Sequence, residues 1–438
     1  MNDLMNAVNP DASLPASSVA QTLNRDFFFR TLNVDVLRAQ LESDASLSGM
    51  VQDITQTRPH LFSSTMVFLS AEMAQTMAST VAAIERVVAL SGYRSQALAR
   101  APAIAQHAFG PVGACMGFDF HLGAEGPQLI EINTNAGGAL LNVVLARAQQ
   151  SCCKAMDWAF PLKPAPDTLT QTLFDMFLAE WRLQRGTAPL QSVLIVDDDP
   201  AAQYLAPEFE LFRQIFVRFG LAAAVADPSA LVWRDGKLWH GGAPVDMVYN
   251  RLTDFYLGEP GHQALRQAYE AGAVVLTPDP HAHALYADKR NLIVLGQDAR
   301  LASWGAAAAD RQLLQTAVPR TELVMPEHAD DLWARRRALF FKPVAGYGAK
   351  AAYRGDKLTR RGRSEILAGD FVAQALVAPG QRLIERDGVR TDLKFDIRAY
   401  AYAGRVQLLA ARMYAGQTTN FRTEGGGFAP VLVLPVAT

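Results

Sequence analysis

The stretch LIEINTNAGGALLN, residues 129–142, places the strictest demand on any fold this chain can adopt. An apolar run is broken at Glu131 by a carboxylate, amides follow at Asn133 and Asn135, and two glycines come next. Alternate side chains of a strand share a face. Glu131 and Asn133 therefore lie on one side, while Leu129, Ile130 and Ile132 supply core. The fold has to give charge and amides a purpose at the exit of a strand that otherwise reads as buried.

The preceding segment offers the partner. Residues 112–134 read as strand, turn, strand: VGACMGFDFHL, then GAEGP, then QLIEINTN. With the turn centred near residue 125, Asp119 falls opposite Glu131 or its neighbour. Cross-strand Cβ atoms stand ~4.5–5.5 Å apart. Asp119, Glu131 and the Asn133 oxygen would then converge, and like charges that close repel unless a cation lies between them. Hard oxygen ligands suit Mg2+, which takes further ligands from water and nucleotide phosphates. The alternative is an ordinary hairpin with one exposed acid and a capping Asn.

At 438 residues the chain is too long for one ordinary core, and two or three domains are expected. Lys and Arg number 41 against 43 Asp and Glu, so no basic footprint points to nucleic acid. No uncharged stretch approaches the ~18 apolar residues of a membrane span. The start, MNDLMNAVNPDASLP, lacks the features of a secretory signal, and a cytoplasmic protein is expected. Cys115, Cys152 and Cys153 match neither a disulfide framework nor zinc spacing and read as reduced core or helix residues. His281 and His283 follow Pro278 and Pro280 and read as a surface loop.

Residues 1–20 look like a loose terminus, and helical periodicity runs from Arg25 to about Ala108, clearest in AEMAQTMASTVAAIERVVAL. Helical patterns resume through about Arg185. From Ser192 onward, SVLIVDDDP, AAAVAD, VDMVYNR and AVVLTPDP alternate with helices, which predicts a small open α/β sheet. A short hairpin is expected around RDGKL, and the chain beyond Tyr286 reads as mixed and mostly antiparallel.

Three later segments carry chemistry. FFKPVAGYGAKAAYRG, residues 340–355, is a strand ending at Lys342, then a loop with Gly346 and Gly348 whose N–H groups can approach phosphate. Lys289 begins a helix upstream, and DFVAQALVAPG reads as a strand whose backbone could pair with adenine at Gln374, Ala375, Leu376 and Val377. LKFDIRAYAYAGRVQLLAARMYAG is a hairpin about Ala403-Gly404, with Lys394, Asp396 and Arg398 on one face and Arg412 opposite Asp396. That face is either solvated or arranged around a polyanion, because buried unpaired charges are costly. NFRTEGGGFAPV then offers an Arg, a Glu and three glycines, suited to closing over a small substrate.

Together FDIRAYAY, LLAARMY, NFRTEGGG and GFDFHLG with LIEINTN resemble the ATP-grasp superfamily in a circularly permuted order. Ribosomal-protein glutamate ligases carry similar elements. Eukaryotic glutathione synthetase is similar in having its IEINT-type motif early, a VYxR-type strand (here VYNRLTDFY) and a KP-plus-glycine loop. The loop here, GYGAK, departs from a triple-glycine stretch, which bears on the substrate.

The resemblance implies an α+β and α/β fold in three parts. Residues 1–185 would form a helical portion plus the metal hairpin, 186–285 a pre-ATP-grasp α/β domain, and 286–438 the nucleotide-binding domain. It implies a carboxylate–amine ligase using ATP and Mg2+ to join small-molecule acid and amine substrates through an acylphosphate. Asp119, Glu131 and Asn133 would hold Mg2+, and Lys289, Lys342, Gly346, Gly348, the 374–377 segment and Lys394 would bind nucleotide. Arg398 and Arg412 would stabilise the transferring phosphate, while Asn135, Arg251, Arg422 and Gly425, Gly426 and Gly427 would hold substrates. Dimers are common among such enzymes. A nucleotide-binding regulatory protein without turnover and a phosphotransferase are the alternatives.

Overall fold

The computed structural model describes residues 16–26, 39, 42, 54, 56–123, 125–152, 165–346, 351–386 and 388–435. Strand β1 (Val67–Ser70) is followed by the hairpin β2 (Met116–Gly123) and β3 (Gly126–Asn133). Strands β4 (Ser192–Val196), β5 (Ala222–Ala226), β9 (Met247–Asn250) and β10 (Val275–Thr277) make a parallel sheet ordered β10-β9-β4-β5. Between them, β6 (Leu231–Arg234), β7 (Lys237–His240) and β8 (Ala243–Pro244) form a small antiparallel sheet. Strands β11 (Thr321–Leu323), β12 (Leu339–Pro343), β13 (Tyr353–Arg354) and β14 (Phe371–Ala375) form an antiparallel sheet ordered β11-β14-β12-β13. Finally β15 (Gly380–Arg386), β16 (Val389–Tyr402), β17 (Arg405–Tyr414) and β18 (Gly427–Leu434) join the first three strands.

That last sheet has seven strands, ordered β1-β18-β17-β16-β2-β3, with β15 also on β16. Its long strand β16 turns into β17 through Ala403 and Gly404, both at positive φ (46° and 74°), the geometry of a tight two-residue hairpin. The early hairpin enters beside β16 through β2, with Arg398 opposite Asp119. Elements nearly 280 residues apart in sequence thus share one sheet.

Both faces are covered. The helix Ala71–Val88, capped by the Ser70 hydroxyl on the Met73 N–H, lays Met77, Val81, Ile84 and Val87 against one face. Leu393, Phe395, Ile397, Ala399 and Ala401 of β16 face that core. The helices Ala139–Cys152 and Pro166–Arg185 cover the other face and reach the parallel sheet. There Phe177 meets Phe212, Phe216 and Tyr249 nearly edge-on. Burying such a ring contributes roughly 1.5–3 kcal/mol, so this aromatic cluster is a strong link between the layers.

Local pattern misleads in several places. The first described helix is Ala16–Asp26, where a loose terminus was expected, and its Ala20 and Leu23 are buried against Met66, Phe68 and Leu432. Strand β1 lies inside the stretch read as helical; VFLS is strand because β18 supplies a parallel partner, with Val67 beside Val431. His281 and His283 sit buried on the helix Pro280–Tyr286, not on a surface loop. Cys115 is a buried thiol, as expected; Cys153 and Gly348 lie outside the described residues.

Candidate active site

A narrow cleft, open to solvent, lies where the early hairpin meets the later chain. Glu131, Asn133, Thr134 and Asn135 line one side; Lys289, Ala345 and Gly346 line another, and Phe255 and His283 a third. Strand periodicity turns Glu131 and Asn133 to the same face, and β2 sets Asp119 directly opposite Glu131. Lys289 lies at the start of the helix Arg290–Leu295, its N–H bonded to the Val344 carbonyl. Its ammonium donates to the Gly346 carbonyl at 2.8 Å and stands 3.4 Å from Glu131 Oε1.

Behind the cleft lies a buried chain of alternating charge. Arg398 binds Asp119 with Nε and Nη2 at 2.6 and 2.7 Å, a bidentate fork. Arg412 Nη2 reaches Asp119 Oδ2 at 2.8 Å, and its Nε donates to Asp396 at 2.7 Å. The Thr419 hydroxyl donates to the other Asp396 oxygen. Burial alone would raise the Asp119 pKa, but the charges and hydrogen bonds of Arg398 and Arg412 outweigh it and hold the carboxyl well below its ordinary range. Arg412 is raised in turn by Asp119 and Asp396 despite burial. The Asp396–Arg412 register read from sequence is the one observed.

Lys342 is buried behind β3. It donates to the Ile130 carbonyl at 2.7 Å and to the Gln374 side-chain oxygen at 2.9 Å. Burial pushes its pKa down to about 8; Glu131 opposes that and Lys289 adds to it. His283 is pushed down to about 3 by burial, so its imidazole is neutral, stacked 3.9 Å from Phe255. Its Nδ1 lies 3.2 Å from the Thr134 hydroxyl.

Other expected site residues are placed differently. Strand β14 is central, so Gln374 and Ala375 are flanked by β11 and β12 on both edges. The Ala375 and Leu376 N–H groups are taken by the Arg320 and Ala338 carbonyls, so those two donors are not open to adenine. The first N–H beyond this ladder is that of Val377, whose carbonyl accepts His121 Nδ1–H at 2.8 Å. A lone His two residues past Asp119 gave no sequence signal of this role. Lys394 donates to the Gly416 carbonyl. Gly425–Gly427 form the tight entry to β18: a Cβ on Gly426 would meet the Met413 carbonyl at 2.5 Å, and one on Gly427 the His60 carbonyl at 2.4 Å. These glycines answer a packing demand, and Arg422 beside them is exposed. Arg251 is buried, its Nη1 donating to the Asn135 carbonyl at 2.7 Å while Asn135 Nδ2 donates to the Leu252 carbonyl. The two residues bind each other's segments together.

A glutathione synthetase-like effector from Globodera pallida has the same fold, with a TM-score of 0.55 at 12% identity over 92% of this chain and 98% of that one. The chain has a glutathione synthetase-like fold. A γ-glutamylcysteine synthetase described as putative, from Methylobacillus flagellatus, aligns at a TM-score of 0.46 and 11% identity over 82% of this chain and 87% of that one. The ATP-grasp ligase PsnB with its minimal precursor aligns at 0.30 and 16% over 50% of this chain and 90% of that one. Neither of these two adds to the assignment. No protein-family model and no curated protein matches the sequence. Among the described residues no helix is long and apolar enough to cross a membrane.

The oxygen donors bear on a divalent ion. Among the described residues no group of three or more His, Cys, Asp or Glu could hold a metal. Glu131 and Asn133 line the cleft as one carboxylate and one amide. Mg2+ is commonly held by only one or two carboxylates, with phosphates and water completing its shell, and that pair fits. Asp119, buried among guanidinium groups, does not face the cleft in the same way.

Proposed function

We propose that this chain is an ATP- and Mg2+-dependent carboxylate–amine ligase acting on a small metabolite or peptide. The observation that carries the reading is the cleft itself. Glu131 and Asn133 of the early hairpin face Lys289 and Gly346 of the later chain, inside a glutathione synthetase-like fold. Acid and amide oxygens on one wall suit a cation; the Lys289 ammonium beside Gly346 on the other suits a triphosphate. The name of the fold's glutathione synthetase-like relative agrees with amide-bond formation.

In this reading Lys289 and Lys342 bind phosphate, and Glu131 with Asn133 hold Mg2+, which when bound neutralises phosphate charge. The Val377 segment, free of the β14 ladder, meets the adenine edge. Arg398 and Arg412 meet the transferring phosphoryl group with the N–H groups their acids leave over, those of Nη1 and the second one of Nη2. Asn135 and Arg251 shape the acceptor side of the cleft. A substrate carboxylate is phosphorylated, and an amine attacks the resulting acylphosphate.

The test is ADP release by the purified protein, screened against amino acids, dipeptides and polyamines. ADP release that requires both an acid and an amine is expected, and Glu131→Ala abolishes it while leaving the circular dichroism spectrum intact. Turnover that ignores the amine would make the protein a phosphotransferase instead.

A further inference from the structure

Asp119 is acidic, on the strand opposite Glu131, and one hydrogen bond from Asn133. Position alone would make it a third metal ligand. Its bonds say otherwise. Two oxygens receive four donors: Arg398 Nε, Arg398 Nη2, Arg412 Nη2 and Asn133 Nδ2, at 2.6, 2.7, 2.8 and 3.0 Å. A carboxylate has roughly four lone-pair sites, so this one is saturated. A dication bonded to either oxygen would stand beside two guanidinium charges in a poorly solvated place, where like charges repel strongly.

The bond to Asn133 has a directional consequence. Guanidinium N–H groups only donate, and they reach both Asp119 oxygens, so Asp119 meets Asn133 as an acceptor. The Asn133 amide must therefore turn its NH2 toward Asp119, which fixes its Oδ1 on the other side. Glu131, on the same strand face two residues earlier, already lines the cleft. Without an acceptor-only neighbour the amide could rotate and offer NH2 to the cleft, where it would repel a cation.

We infer that Asp119 is a positioning residue and not a metal ligand: held by Arg398 and Arg412, it orients the Asn133 carbonyl oxygen toward a divalent ion shared with Glu131. This rests on the ligase reading above. Groups that orient a ligand typically change metal affinity 10–100-fold when altered.

The test uses the full chain with Mn2+ and a nonhydrolysable ATP analogue. Bound Mn2+ is counted by electron paramagnetic resonance and located by anomalous scattering in a crystal. The ion is expected on Glu131 and Asn133, with Asp119 still on its arginines. Asp119→Asn weakens Mn2+ binding about tenfold or more, because an amide there can donate and no longer dictates the orientation of Asn133. Adding Asn133→Asp to that variant restores binding, since a carboxylate presents oxygen either way round. An ion bonded directly to Asp119, or unchanged affinity in Asp119→Asn, overturns the inference. If the unaltered protein binds neither nucleotide nor ion, the ligase reading fails first and takes the inference with it; that outcome is distinct because it appears before any substitution.

Discussion

Glu180 gives the sharpest test of how this molecule holds its site in place. The carboxylate is fully buried in the helix Pro166–Arg185 and has no cationic partner among its bonds. It accepts from the Val112 N–H at 3.0 Å, the Gly113 N–H at 2.9 Å, the Thr277 hydroxyl at 2.5 Å and the Tyr402 hydroxyl at 3.0 Å. One side chain therefore joins the segment leading into β2, the end of β10 and the β16–β17 turn. Its pKa is raised because desolvation outweighs these hydrogen bonds. In Glu180→Ala the hydroxyls can rotate to other acceptors, but the two N–H groups cannot. Each orphaned buried donor costs about 1–3 kcal/mol, so the two together cost roughly 2–6, part of it offset by relief of the carboxylate's desolvation. A net loss of about 3 kcal/mol is expected. Glu180→Gln loses about half as much, because its NH2 must face one of the two N–H groups whichever way it turns. Hydrogen exchange of the peptide containing Val112 and Gly113 reads the effect where it arises, independently of how cooperatively the whole chain unfolds. Wild-type protection of those amides in Glu180→Ala would refute the reasoning.

Three further outcomes are expected. If Lys342 must be charged to hold phosphate, its pKa of about 8 makes binding of a nonhydrolysable ATP analogue weaken about tenfold per pH unit above that value; calorimetry from pH 7 to 9.5 checks this, and Lys342→Ala removes the slope along with most of the affinity. Arg412→Leu leaves Asp396 and Asp119 sharing one cation fewer in a buried site, a loss of about 3–5 kcal/mol, visible in the urea midpoint and partly recovered by adding Asp396→Asn. The two ring nitrogens of His262 face Asp254 and Asp198 at 2.8 and 2.9 Å, an arrangement that favours the imidazolium, which donates to both. Burial lowers its pKa, but the two acids raise it further, to a net upward shift. Its stabilisation is complete below the unfolded value of about 6.5 and fades as pH rises through the folded one. Thermal midpoints between pH 6 and 9 fall accordingly, and His262→Leu flattens that profile.

Much of the site was legible because strand periodicity and tight turns are local properties. The turns near residues 125 and 403–404 place Asp119 against Glu131 and Asp396 against Arg412, and both pairings are observed. The parallel sheet from Ser192 to Thr277 follows equally from β-branched runs alternating with helices. The errors share one cause. VFLS is too short and too apolar to distinguish strand from helix by pattern. Whether DFVAQ lies at an edge or in the middle of a sheet depends on strands that the segment itself does not contain, so its free backbone could not be read. Three adjacent glycines look the same whether a ligand or the His60 carbonyl lies above them.

The amino-acid order alone determined which residues share a face, where the hairpins turn, and that acids and bases would alternate along them. Tertiary structure decided what those charges meet. Asp119 and Arg398 are 279 residues apart, and only the docking of β2 beside β16 turns an acid suited to a cation into one paired with two guanidinium groups. The physical reason is range: side-chain direction is set by the dihedral angles of a few residues, whereas the partner of a buried charge is set by which distant strand comes to lie alongside.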